Sequence, residues 1–427
     1  MRTVAGLVAG ALLLLAGCGT PRDDVQELRF WVIGREGEVL VSTLLPEFER
    51  EHPQIRVRVQ TLPWTAAHAK LLTAFASDAL PDVFQLGNTW LPEFAAIGAL
   101  APLDARLSAS KTMWADDYFP GILDTNRVDG TLYGVPWNVD TRLLFYRTDV
   151  LAKLGFDAPP QTWDEWRTMQ AAIKRDVGPD RYAVLLPLNE FEPQLALALQ
   201  QDEPLLRDGG RYGNFRSEGF RSALGFYHEM FEKSWAPKMT NTQIANVWVE
   251  FGRGFYAFYI SGPWNIAEFR KRLPESLKDA WSTAMLPGPD GPGASTAGGS
   301  SMVLNVRGKN QDAAWTLIEF LSQPRIQREL NRQLGSLPSR RSSWDDPELA
   351  GDKYAQAFRA QLERVKATPK VPEWEQIAQE MRVVSERLVA GEFDLNRAVE
   401  VLDARADRIL EKRRWMLDRA RETTDAQ

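Results

Sequence analysis

Apolar and polar residues alternate strictly in Ile55-Arg56-Val57-Arg58-Val59, which predicts a strand with one buried face. Before it, Leu28-Arg29-Phe30-Trp31-Val32-Ile33 predicts another short strand and Gly34 to Gly37 a turn. Leu44, Leu45 and Phe48 at helical spacing then predict a helix reaching Arg50. The order repeats: Leu71, Leu72 and Phe75 share one face of a helix predicted over 66–77, and Pro81-Asp82-Val83-Phe84-Gln85-Leu86 follows as a strand. Strands alternating with helices predict an α/β fold with a mainly parallel sheet flanked by helices. Ligands of such sheets sit beyond the C-terminal strand ends, so 31–36 and 85–90 become candidate site segments.

Further along, Leu143-Leu144-Phe145-Tyr146-Arg147 is strand-like, and Thr162 followed by Glu165 fits a capping box opening a helix. Strands are predicted over 255–260 and 301–306, separated by a Pro/Gly-rich connection over 287–299. Apolar spacings of three and four then predict helices over 313–322, 326–334, 353–365, 374–389 and 395–411. No period of roughly 20 to 50 residues recurs, which excludes solenoids and propellers.

At the N-terminus, Met1-Arg2 precedes an uncharged stretch from Val4 to Gly17 with the pattern of a secretory signal. It is shorter than the roughly 20 residues of a permanent membrane span. The stretch ends in Leu15-Ala16-Gly17-Cys18, and Cys18 is the only cysteine. This resembles the bacterial lipobox, which implies cleavage before Cys18 and its acylation; an ordinary secretory signal with an incidental cysteine is the alternative. Several acyl chains, at about 0.8 kcal/mol per buried methylene, would hold the protein on a membrane surface. Residues 1–17 are thus expected to be a signal peptide and 18–27 a lipidated linker, with the mature protein periplasmic or otherwise extracytoplasmic.

The remaining length exceeds what one core usually fills and predicts two domains. A hydrophobic share of 44 % argues against a disordered chain. The net charge of −6, without any basic block, argues against a nucleic-acid partner. His52, His68 and His228 are not at metal-ligand spacing, and no phosphate-binding glycine loop occurs, so neither metal nor cofactor is expected. Fifteen tryptophans are present, several beside Pro, Asn or Gly. Tryptophan usually serves the core, and an excess in loops also suits a site with flat apolar ligand faces.

Several segments together resemble the family 1 extracellular solute-binding proteins, the group that includes maltose- and trehalose-binding proteins. They are Leu44 to Glu49 before His52-Pro53, Pro81-Asp82-Val83, Gly130 to Pro136 leading into Asp140 and Tyr146-Arg147, Ser261-Gly262-Pro263-Trp264, Ala313 to Leu321 with Pro324, and Leu337-Pro338-Ser339-Arg340. The resemblance spans nearly the whole mature chain. It implies a two-lobed periplasmic-binding-protein fold, type II-like, with the ligand cleft between lobes. The expected first lobe is 28–135 plus 290–336 and the second 138–286 plus 340–427, with hinge crossings near 135–140, 286–292 and 334–340. It also implies a small saccharide ligand, a glucose disaccharide such as trehalose or maltose, passed by a monomeric binding protein to the permease subunits of an ABC importer, without catalysis.

A neutral sugar needs aromatic planes and groups that exchange hydrogen bonds with hydroxyls. By the resemblance, Asp140 occupies a position that commonly bonds sugar hydroxyls, and Trp264 one where a sugar stacks. A turn or cap role for Asp140 and core packing for Trp264 are the plain alternatives. Trp137 lies beside Asp140, and Arg142 is placed either to pair with Asp140 or to sit solvated. Glu36, Gln85, Asn88 and Trp90 lie at strand C-termini, where Asn88 could equally cap a helix. Gly298 and Gly299 would let backbone amides approach a ligand. Trp248, Trp374 and Arg340 complete the candidates, with helix core for the two tryptophans and a solvated charge for Arg340 as alternatives. A polysaccharide-cleaving enzyme would need two positioned carboxylates, and the adjacent pairs Asp116-Asp117 and Asp164-Glu165 are what chance provides in an acid-rich chain. A non-sugar solute such as a phosphodiester or peptide is the other rival; it would call for an Arg- or Lys-rich site.

Overall fold

The computed structural model describes residues 25–244 and 246–425; the signal segment and Cys18 lie outside the described residues. Two sheets organise the chain. The first has six strands in the order Leu337–Pro338, Gly134–Asp140, Gly298–Leu304, Val83–Gly87, Gln26–Ile33, Ile55–Leu62. The second has four, in the order Trp281–Ala284, Leu143–Arg147, Phe258–Ser261, Val184–Leu185. Helices cover both, giving two α/β lobes.

Alternation works as predicted where one face meets solvent: Ile55 and Val57 are buried while Arg56 and Arg58 are exposed. Gln26–Ile33 pairs in parallel with Ile55–Leu62 and with Val83–Gly87. Expected to be mainly parallel, the sheets are instead mixed. Gly298–Leu304 pairs antiparallel with both Val83–Gly87 and Gly134–Asp140, and three of the four second-sheet strands form an antiparallel set. Leu143–Arg147 and Gly298–Leu304 each arrive from the other sheet rather than through a local helical crossover, so the parallel rule does not govern their pairing.

Gly134–Asp140 belongs to the first sheet and Leu143–Arg147, just two residues on, to the second. The chain returns from Trp281–Ala284 through the Pro/Gly-rich segment to Gly298–Leu304. Leu337–Pro338 then edges the first sheet before the chain passes to the C-terminal helices.

Apolar clusters lie on the faces of each sheet. Phe30, Phe48, Trp137 and Trp315 belong to one on the first sheet; Trp163, Trp166, Phe258 and Trp374 to one on the second. Thr162 closes the capping box onto Glu165 at the start of helix Trp163–Val177. Among the described residues no helix is long and apolar enough to cross a membrane.

Candidate functional site

Because the first three strands run parallel, their C-terminal ends open on one edge, and each is followed directly by a side chain facing a common cavity. Gln26–Ile33 leads to Glu36, Ile55–Leu62 to Trp64, and Val83–Gly87 to Asn88 and Trp90. Gly134–Asp140 ends on the same edge and adds Asn138 and Asp140. From the second lobe, Glu192 opens helix Glu192–Ala198, Trp264 opens helix Trp264–Arg272, and Glu375 lies in the first turn of helix Trp374–Ala390. The cavity they enclose between the lobes measures about 690 Å³, within the range of small-molecule clefts.

Its aromatic walls come from both sides. Trp64 is 45 % exposed and meets Trp90 edge-on at 5.8 Å; Trp90 in turn meets His68 at 5.0 Å. Trp264 projects from the opposite lobe, 43 % exposed. Strand register explains its place: Ser261 pairs with Leu143, so the Gly262-Pro263 link brings Trp264 beside the inter-sheet connection.

Asn88 donates from Nδ2 to the Gly298 carbonyl at 3.2 Å and accepts from the Ser301 hydroxyl at 2.9 Å. Gly298 and Gly299 line the cavity where their strand presses on Gly134–Asp140: a Cβ at Gly299 would lie 2.3 Å from the Asn138 carbonyl, and its φ of +116° suits only glycine.

Arg142 is the charge centre of the floor. Its Nη1 reaches both carboxylate oxygens of Asp140 at 2.7 Å and its Nη2 reaches Glu192 at 3.3 Å. Burial works against the charge, but Asp140 and Glu192 outweigh it and hold the guanidinium above its ordinary pKa. Two other carboxyls are pushed up by burial: Glu36, opposed by nearby backbone amides, and Glu375, opposed by a hydrogen bond from Thr89 and the charge of His68. The start of helix Trp374–Ala390 thus faces the Asn88–Trp90 turn of the first lobe. His68 is itself raised by its 2.7 Å hydrogen bond to Glu93, against the effect of burial.

The structure brings Glu36, Asn88, Trp90, Asp140, Arg142, Trp264, Gly298 and Gly299 to this cavity. Five other expected residues are elsewhere. Gln85 is fully buried between strands, accepting from the Ile33 amide and donating to Ser300. Trp137 points to the opposite face of its strand from Asn138 and packs on Phe30 in the core. Trp248 donates to Asn265 and lies under Arg272 in a satellite cluster. Trp374 is core of the second lobe, and its neighbour Glu375 takes the cleft position. Arg340 is 2 % exposed, bound to Asp117 at 2.6 Å and to the Thr112 and Ser322 carbonyls. Each correction has one cause: the side chain packs or bonds within a lobe instead of facing the cavity.

Trp64, Asn138, Glu192 and Glu375 were outside the expected set. Trp64 had a usable signal, since it follows a predicted strand just as Glu36 and Asn88 do. The acidic pairs have structural roles: Asp117 holds Arg340 and Glu165 caps a helix.

Residues 36–328 match the family model described as bacterial extracellular solute-binding protein. Among solved structures, the sugar-binding protein MalE of Xanthomonas citri is 58 % identical, with a TM-score of 0.89 over 92 % of this chain and 99 % of that one. The diacetylchitobiose binding protein DasA of Streptomyces coelicolor is 26 % identical, covering 90 % of this chain and 92 % of its own length. The arabinooligosaccharide-binding protein of Bacillus subtilis is 24 % identical, with 84 % and 85 % covered.

Proposed function

The chain belongs to the bacterial extracellular solute-binding proteins, and from that premise we propose that it captures a small saccharide in the inter-lobe cleft and delivers it to an ABC permease. The observation that carries this reading is the pairing of solvent-exposed indoles from opposite lobes, Trp64 and Trp264, around a cavity rimmed by Glu36, Asn88, Asp140 and Glu192. Flat apolar faces match sugar rings, and ionised or amide groups match hydroxyls. The similarity to a sugar-binding MalE and to binding proteins for diacetylchitobiose and arabinooligosaccharides supports the same class.

Within that class a glucose disaccharide such as trehalose or maltose is the proposed ligand. The protein works as a monomer held to the membrane by acylated Cys18, and it binds its cargo unchanged. Contacts contributed by both lobes favour the closed conformer, because a ligand shifts an equilibrium through its differential affinity for the two states. A thermal-shift screen over a sugar library tests the reading, since a ligand that binds only the folded state raises the melting temperature. Stabilisation by trehalose or maltose is expected. No shift with any saccharide, alongside a shift with a phosphodiester or peptide, would replace the ligand class.

A further inference from the structure

The exposed indole of Trp264 belongs to none of the apolar clusters. One support is Gly262, where a Cβ would lie 2.1 to 2.7 Å from carbons of the six-membered ring, so the ring rests against the bare glycine. The other is Arg142, whose guanidinium carbon sits 4.8 Å from the ring centroid. Exposure falls away behind the ligand-facing groups. Trp264 is 43 % exposed, the Asp140 and Glu192 side chains 29 % and 31 %, and the Arg142 side chain 11 %.

We propose that Arg142 is a positioning residue that holds Trp264, Asp140 and Glu192 in their ligand-facing orientations. This rests on the saccharide reading of the cleft. Three observations carry it. Arg142 bonds Asp140 through Nη1 and Glu192 through Nη2, while its guanidinium carbon sits over the indole. It occupies the two-residue connection between the sheets, so Asp140 reaches it from the first sheet and Glu192 and Trp264 from the second lobe. Finally, its own carbonyl accepts a 2.6 Å hydrogen bond from the buried Ser295 hydroxyl, which fixes the connection from which the side chain projects. Lysine would supply the charge but not the planar fork that meets two carboxylates and an aromatic ring together.

A double-mutant cycle tests this, read by titration calorimetry with trehalose or maltose, whichever binds wild type more tightly. Arg142→Lys, which keeps the charge for folding, is expected to weaken binding at least tenfold in the wild-type background. In the Trp264→Ala background the loss should be at least fivefold smaller, because one of the groups Arg142 holds is gone. Gly262→Ala, which displaces the ring without altering any charge, should weaken binding as much as Trp264→Ala does. Equal losses in both backgrounds, or wild-type affinity in Arg142→Lys or Gly262→Ala, would overturn the proposal. Wild-type protein that binds no saccharide of the screen would overturn the functional reading and this inference with it. Additive losses in a sugar-binding protein overturn this inference alone.

Discussion

Replacing Trp264 by alanine is the most informative single change, because the indole is both exposed and placed at the cleft. A tryptophan covers roughly 150–250 Å² when fully enclosed. With 43 % of the residue exposed, roughly 65–110 Å² remains for a sugar face to cover, and at about 25 cal/mol per Å² this gives about 2 kcal/mol. Such a loss is roughly a 30-fold rise in Kd. Folding should survive, since the exposed face contributes nothing to the apolar clusters; Arg142 keeps Asp140 and Glu192 as partners. Calorimetry with the sugar that most stabilises wild type measures the effect, with an unchanged far-ultraviolet dichroism spectrum as the control. Affinity within about twofold of wild type would refute both the area argument and the place given to Trp264.

The remaining predictions separate scaffold from site. Arg340→Ala breaks a buried ion pair with Asp117 and strips the buried Ser322 carbonyl and the half-buried Thr112 carbonyl of a donor. It should lower unfolding free energy by about 3–5 kcal/mol, read from the urea midpoint, while sugar affinity of the folded protein stays at the wild-type value. Lost affinity with intact stability would place Arg340 in the site after all. For His68, the folded-state pKa lies above the ordinary 6.5, chiefly through the Glu93 hydrogen bond. The stabilisation is therefore fully present below the unfolded value and is lost as pH rises through the folded one. Melting curves of wild type and His68→Gln should differ most at about pH 5.5 and converge by about pH 9; a gap independent of pH would contradict this.

Much of the framework is legible in local pattern. The first two strands and the helices Trp64–Ala76, Trp163–Val177 and Trp374–Ala390 follow from periodicity and capping, and the strand-end rule finds Glu36 and Asn88. Applied to Ile55–Leu62 as well, the same rule reaches Trp64. Strand direction is another matter. Nothing local in Gly298–Leu304 tells that it returns antiparallel between two distant segments.

Site residues are missed by single positions for a geometric reason. Alternation sends Trp137 to the core and Asn138 to the cleft, and one helical step of about 100° separates buried Trp374 from cleft-lining Glu375. The eye goes to the tryptophan because of its size, yet its apolar area is what draws it inward. Arg340 misleads likewise: a charge beside a lobe connection looks available, and only the tertiary fold shows Asp117 already holding it. Glu192 carries no local signal, since its role depends on Arg142, fifty residues earlier in the chain.

Small-angle X-ray scattering of the wild-type protein, alone and saturated with its tightest-binding sugar, tests the central claim most directly. A guest gripped by Trp64 and Asn88 on one side and by Trp264 and Glu192 on the other draws the lobes together, so the radius of gyration must fall on binding. An identical scattering curve at full occupancy would show that the sugar is held without engaging both halves of the molecule.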